Sequence, residues 1–323
     1  MENFIDDRIP VTIITGFLGA GKTSLLNSLI STNKEKKFAI IENEFGEINI
    51  DSDLIIGVED SIFELSNGCI CCSLNDDFQQ VIYRLLESPF SFNHLLVETT
   101  GIADPLAVVK SFFEGNNIQF LFRVDSVVCV VDVENVEELI KQYSEIRKQI
   151  ALADTIIINK TDLVGEKYLS EMEKFIRSLS PMARIYKTSF SNIENFELLD
   201  LDDYQIGRIE KSVNEFMEND HYHHHRHDIV SEGFVFNRPF DMDKFSLWIH
   251  NYLYFNKSNI LRMKGVVRFK NMHQRYILHA VRGSYMMDEG APWNHDEKES
   301  KLVFIGKKIE RQELEASLKQ LLV

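Results

Sequence analysis

Val11, Thr12, Ile13, Ile14, Thr15, Gly16, Phe17, Leu18, Gly19, Ala20, Gly21, Lys22, Thr23 is the stretch from which the rest of the chain is read. Its first residues are β-branched and apolar, as a buried strand requires, and the run stops at Gly16. Beyond it Leu25, Leu26, Leu29 and Ile30 recur at helical spacing. Between strand and helix, Gly16 to Thr23 fits G-x-x-x-x-G-K-[ST], a loop whose backbone N–H groups converge on phosphate oxygens while the helix N-terminus adds a favourable dipole. On this reading Gly16, Gly19, Ala20, Gly21 and Ser24 belong to the phosphate cradle, Lys22 meets the β and γ phosphates, and Thr23 ligates Mg²⁺ through its hydroxyl. A glycine-rich turn with an incidental lysine would need neither the strand before it nor the helix after it.

Working outward, short apolar runs at Phe38 to Ile41, Leu95 to Val97, Val127 to Val131 and Thr155 to Ile158 predict strands buried on both faces. Helical stripes alternate with them: Phe78, Val81, Ile82, Leu85, Leu86; then Leu139, Tyr143, Ile146, Ile150; then Leu169, Met172, Phe175, Ile176, Leu179. Such alternation predicts an α/β fold, a mostly parallel sheet with helices on both faces, over residues 1–200. Residues 201–228 read as a linker carrying the run His221 to His227, and residues 229–323 as a smaller α+β domain. In that domain strands are expected around Phe234 to Phe236, Val266, Ile277 and Val303, a helix over Phe245 to Leu253, and a last helix from near Glu310.

Asn159, Lys160, Thr161, Asp162 directly follows the strand Ile156 to Ile158, so N-K-x-D falls at a strand's carboxyl end, where open α/β sheets bind ligands. The Asp162 carboxylate can accept two parallel hydrogen bonds from guanine, whereas adenine offers no such donor pair, and the Lys160 stem can lie along the base. The predicted nucleotide is therefore GTP. Glu98 ends the strand Leu95 to Val97 and precedes Gly101; it is a candidate for holding Mg²⁺ through water or orienting the attacking water, with Gly101 approaching the γ-phosphate. A helix-capping acid is the bland alternative for Glu98. No arginine identifies itself as a finger, so slow intrinsic turnover is expected.

Cys69, Cys71 and Cys72 crowd three of the chain's four cysteines into four residues, which is no disulfide framework. In extended backbone Cys69 and Cys71 share a side and can grip one soft ion; Cys72 joins only if the chain turns. Thiolates favour Zn²⁺ or Cu⁺ over Mg²⁺, and Zn²⁺ completes four ligands with histidine or carboxylate. A redox pair at Cys71 and Cys72 competes, although neighbouring cysteines close a strained ring. The acids in Glu42 to Glu47 follow a predicted strand and can complete a thiolate site, or simply be solvated. Five imidazoles among His221 to His227 form either a metal buffer or a polar loop that takes metal opportunistically. Cys129, inside an apolar run, reads as a small hydrophobe without a function.

Composition narrows the class. At 323 residues, 44% hydrophobic and 26% charged, the chain is long enough for two packed domains and unlike a disordered or fibrous one. A net charge of −15 with no basic patch argues against nucleic acid as a partner. The first residues lack the basic and apolar regions of a secretory signal, and no apolar run is long enough to span a bilayer, so the expectation is a cytoplasmic protein with no membrane partner.

Taken together, Gly16 to Thr23, Glu42 to Glu47, Asn67 to Cys72, Glu98 to Pro105 and Asn159 to Asp162 resemble, in order and spacing, the CobW family of P-loop GTPases across about the first 165 residues. The resemblance implies a metallochaperone GTPase using GTP, Mg²⁺ and Zn²⁺, with Cys69, Cys71 and Cys72 as Zn²⁺ ligands, Glu42 and Glu47 as nearby carboxylate ligands, Lys22 and Glu98 in catalysis, and a client metalloprotein as partner. Zinc-transfer members that serve methionine aminopeptidase carry a Cys-Pro-containing docking segment where this chain has Phe4 to Pro10, so that client is not implied. A metal-storage or sensing protein with a structural nucleotide site, and a P-loop kinase, are the rival readings; the kinase leaves Asn159 to Asp162 unexplained.

Overall fold

The computed structural model describes residues 6–44, 62–68, 74–103, 105–114, 117–194, 196–201, 206–218, 229–293 and 298–323. The chain divides into two compact units, residues 1–173 with 184–202, and residues 174–183 with 203–323.

In chain order the first part runs β1 (Ile9–Gly16), α1 (Lys22–Thr32), β2 (Phe38–Glu44), β3 (Ile62–Gly68), α2 (Leu74–Glu87), β4 (His94–Glu98), α3 (Pro105–Glu114), α4 (Ile118–Leu121) and β5 (Phe122–Asp132). It continues through α5 (Val136–Gln142), α6 (Ser144–Leu152), β6 (Thr155–Asn159), α7 (Glu166–Leu179) and β7 (Arg184–Lys187). Seven strands form one sheet in the order β3-β2-β4-β1-β5-β6-β7, and every pairing is parallel. Parallel strands are joined by crossover helices, which cover both faces; that is why these strands read as continuous apolar runs. Ile14, Ile40, Leu96, Val128, Val130 and Ile157 pack with Leu25, Leu26 and Leu29 of α1. The alternate residues Ile13, Ile41, Val97, Cys129 and Ile158 are equally buried, on the face where α3 and α6 meet β1 and β5.

The second part runs α8 (Ile206–Glu218), β8 (Ile229–Phe236), α9 (Met242–Phe255), β9 (Ile260–Val267), β10 (Gln274–Val281), β11 (Ser284–Pro292), β12 (Ser300–Lys307) and α10 (Arg311–Lys319). Its five strands pair antiparallel in the order β11-β10-β9-β12-β8. One face, with Phe234, Met263, Leu278 and Phe304, packs on Phe245, Ile249 and Leu253 of α9 and Leu314 and Leu318 of α10. α8 lies on the other face: Glu210 pairs with Arg275, the Lys301 ammonium donates to Asn214, and Phe216 lies against Gly233.

The α/β fold and the α+β unit agree with the sequence reading; two details differ. The stretch 201–228, read as a linker, contains α8, whose buried Ile209 and Val213 give it a reason to be helical. The stripe Leu139 to Ile150, read as one helix, is α5 and α6, broken at Tyr143, whose extended backbone (φ −124°, ψ 109°) lets its ring meet Phe17 at 4.8 Å.

Candidate nucleotide and metal site

Because all seven strands are parallel, their carboxyl ends share one edge, and those of the residues singled out above that the structure describes in this sheet collect there. β1 ends at Gly16, β4 at Glu98, β5 at Asp132 and β6 at Asn159. In register, Ile14 lies opposite Glu98, Glu98 opposite Glu42, Glu44 opposite Gly68, and Asp132 opposite Asn159.

After Gly16 the chain makes the phosphate-loop turn. Ala20 N–H donates to Phe17 O at 3.2 Å, and α1 begins at Lys22 with Gly21 as its N-cap. Gly21 has φ +105°, and a Cβ there would come within 2.5 Å of Asn159 Nδ2, so glycine is required for both conformation and space. Around Gly19 the space is open, with nothing within 4 Å of where a Cβ would stand. Lys22 is buried and its Nζ lies 3.5 Å from Phe17 O. Thr23 Oγ1 donates to Glu98 Oε1 at 3.4 Å, which joins the expected Mg²⁺ ligand to the strand-end acid. Ser24 is exposed on the first turn of the helix.

Gly101, in the turn after β4, abuts the loop: a Cβ at this position would sit 2.5 Å from Leu18 N. Close approach, rather than a special dihedral, makes it glycine. Cys129 lies under the site at 1% exposure, and burial pushes its thiol up to about 12, which fits a packing role.

Asn159 is 3% exposed and turns toward the phosphate loop. Its Nδ2 donates to Ala20 O at 2.9 Å and Ser191 Oγ at 3.0 Å, its Oδ1 accepts the Ser191 N–H at 3.0 Å, and Ser191 Oγ donates to Gly21 O at 3.1 Å. Lys160 adopts the left-handed region (φ 63°) and its Nζ donates to Asp132 Oδ2 at 2.7 Å. Burial acts to raise the Asp132 carboxyl, but the Lys160 and Asn135 hydrogen bonds outweigh it and hold the group below the usual carboxylate range. Asp162 stands exposed in the 3₁₀ turn Thr161–Leu163, its N–H donating to Ser189 Oγ at 3.2 Å.

Asp132 and Ser191 were missed by the sequence reading. Asp132, a strand-end acid like Glu98, carried a signal that went unused; Ser191 carries none, because its role depends on the left-handed backbone (φ 53°) that aims it at Gly21 and Asn159. Cys69, Cys71, Cys72, Glu47 and His221 to His227 lie outside the described residues, as does the side chain of Glu42. Among the described residues no group of three His, Cys, Asp or Glu could hold a metal ion, and no helix is long and apolar enough to cross a membrane.

Comparison with known proteins matches residues 10–187 to the nucleotide-binding domain of the CobW/HypB/UreG family and residues 229–322 to the cobalamin synthesis protein cobW C-terminal domain. A zinc chaperone of Escherichia coli (strain K12), YjiA, is 30% identical over 96% of this chain and 97% of its own length. The zinc chaperone CobW of a Sinorhizobium species is 30% identical over 93% of each. The crystal structure of Zn(II)-bound YjiA GTPase from E. coli superposes with a TM-score of 0.73 at 26% identity, covering 97% of this chain and 99% of that one.

Proposed function

The chain belongs to the CobW/HypB/UreG family of nucleotide-binding proteins, and from that membership we propose that it is a GTPase metallochaperone which binds Zn²⁺ through Cys69, Cys71 and Cys72, with Glu42 and Glu47 beside them, and couples GTP hydrolysis to metal delivery. GTP hydrolysis is the chain's reaction, and a metal-requiring protein is the client class.

The observation that carries the reading is the strand order. β3, β2, β4 and β1 are consecutive neighbours, so the chain enters the cysteine segment from Gly68, the acidic segment from Glu44, and the phosphate loop from Gly16, all at one edge of one sheet. The donor set, three thiols with carboxylates nearby, suits Zn²⁺ as cargo. For the nucleotide, the open space at Gly19, the glycine-only approaches at Gly21 and Gly101, and the buried Thr100 hydroxyl, without a hydrogen-bond partner among the described residues, fit a triphosphate.

Lys22, at 3.5 Å from the Phe17 carbonyl, would meet the β and γ phosphates, and Thr23, beside Glu98, would hold Mg²⁺ through its hydroxyl. When bound, Mg²⁺ neutralises charge developing between the β and γ phosphates. Asn159 and Ser191 hold the loop, Asp132 fixes the Lys160 head so that its stem can lie along guanine, and Asp162 accepts the base's donor pair. Ordering of the γ-phosphate side biases the neighbouring segments that carry the metal ligands, so metal and GTP affinities change by one common factor.

The test is steady-state GTP hydrolysis by metal-free protein, with and without buffered Zn²⁺, beside a variant with Cys69, Cys71 and Cys72 changed to Ser. A Zn²⁺ response lost in the variant is the expected result. The same slow rate in all four conditions would separate the thiols from turnover and shift the reading to storage.

A further inference from the structure

Helix α6 buries Ile146, Gln149 and Ile150, residues at the i, i+3, i+4 spacing of a core-facing stripe. A glutamine in that stripe is the anomaly. At 1% exposure its amide has left water, which costs free energy unless hydrogen bonds replace what was lost. They do so at one place. Nε2 donates to Gly101 O at 3.1 Å and to Ala103 O at 3.2 Å, both in the turn that follows Glu98. That turn is closed by the Ala103 N–H donating to Thr100 O at 3.0 Å, and its Gly101 backbone rests against Leu18 of the phosphate loop.

We propose that Gln149 is a positioning residue for GTP hydrolysis: its amide latches the Gly101–Ala103 turn against the phosphate loop, so that Glu98 and the Gly101 N–H are held ready for the γ-phosphate. The inference rests on the nucleotide-site reading above. Both amide hydrogens are used on the turn, while Gln149 Oε1 has no hydrogen-bond partner among the described residues, so the side chain's hydrogen bonding is spent on holding that loop. The α5–α6 break serves the same corner, since Tyr143, the residue before α6, contacts Phe17, the chain neighbour of Leu18. A GDP-bound site lacks the phosphate that Gly101 meets. The latch therefore acts on turnover and on GTP more than on GDP.

Gln149→Met in the full-length chain keeps the length of the side chain and removes the donor. The expected result is a kcat lower on the order of tenfold, from the loss of two hydrogen bonds that order the reacting loop, with GDP affinity within about twofold of wild type; the urea midpoint falls as well, because the Gly101 and Ala103 carbonyls lose their buried donor. Gln149→Glu sets a carboxylate against two carbonyl oxygens and lowers kcat further. Equal kcat for Gln149→Met and wild type overturns the latch, as does a loss of GDP affinity as large as the loss of kcat, which marks a purely structural amide. Lys22→Ala, assayed alongside, separates the two layers: if it hydrolyses GTP at the wild-type rate the nucleotide-site reading itself fails, whereas an inactive Lys22→Ala beside a fully active Gln149→Met fails only the latch.

Discussion

The two edges of the seven-stranded sheet use similar polar residues to opposite ends. At the amino edge, fully buried His94 lies with Nε2 2.9 Å from Thr12 Oγ1 and Nδ1 3.7 Å from Asp200 Oδ1, and Asp200 is 2.5 Å from Lys36 Nζ. The Phe38 ring stands edge-on to the imidazole, and the cluster closes on itself as side chain meets side chain. At the carboxyl edge, Asn159 and Ser191 direct their hydrogen bonds at the backbone carbonyls of Ala20 and Gly21, holding a loop whose next residue, Gly19, faces open space. Burial and charge alone would mark both edges as sites. What separates them is whether the polar side chains pair with one another or are used to shape backbone around a space a ligand can enter.

The largest effect expected from that contrast is on Lys22. Lys22→Ala should lower kcat by on the order of a hundredfold to a thousandfold, the loss typical of one preorganised charge-stabilising donor, and leave thiol-dependent Zn²⁺ uptake intact. Parallel metal-binding and hydrolysis assays check this, and loss of both activities together would mean that Lys22 does more than meet the phosphates. Asn159→Ala comes next. It removes three hydrogen bonds that tie β6 to the phosphate loop and to Ser191, so GTP and GDP should weaken alike, by about tenfold to a hundredfold, with stability lower by about 1–3 kcal/mol. Selective loss of GTP binding would place Asn159 on the γ-phosphate instead of on the loop.

Much of this arrangement is legible in the residues, and the exceptions have physical causes. Central strands such as β1, β4 and β6 are covered on both faces and so announce themselves as apolar runs. Edge strands do so only where one face is well buried: β8 was read around Phe234 and Phe236, whereas β7 is only Arg184 to Lys187, and β11 carries Asp288, Glu289 and Gly290 on a partly exposed ribbon, so neither of these was read. β5 begins five residues before its apolar run, because Arg123, Asp125 and Ser126 interrupt the pattern; Asp125 is nonetheless fully buried, accepting the Leu201 N–H at 3.1 Å. At the site, Gly16 to Thr23 and Asn159 to Asp162 could be singled out because their residues are contiguous in sequence. Gln149 and Ser191 could not, since each acts across more than thirty positions of sequence.

The amino edge supplies the smaller predictions. Thr12→Val is close to isosteric and removes the hydroxyl paired with His94 Nε2, so urea unfolding should report a loss of about 1 kcal/mol while kcat stays at the wild-type value. A fall in kcat would show that strain at this edge travels along β1 to Gly16, and the two edges would no longer count as independent.

Asp200→Asn should have the least effect, and its pH dependence carries the information. His94 and then Lys36 hold the Asp200 carboxyl well below the usual carboxylate range, against the burial that opposes them. A carboxyl whose folded value is depressed contributes stability that is fully present above its unfolded value and is lost as pH falls through the folded one. The side chain is 50% exposed, so solvent screening limits that contribution to less than about 1 kcal/mol. Wild type should therefore exceed Asp200→Asn by a small constant margin from neutral pH down to about 4, and the margin should shrink as the medium is made more acid, because the wild-type carboxylate is then protonated and the asparagine has nothing to lose. Unfolding midpoints measured across that range check it. A margin that grew toward acid would mean that Asp200 is not held down by His94 and Lys36, and the closed cluster would lose the Lys36–Asp200 ion pair that distinguishes it from the open edge.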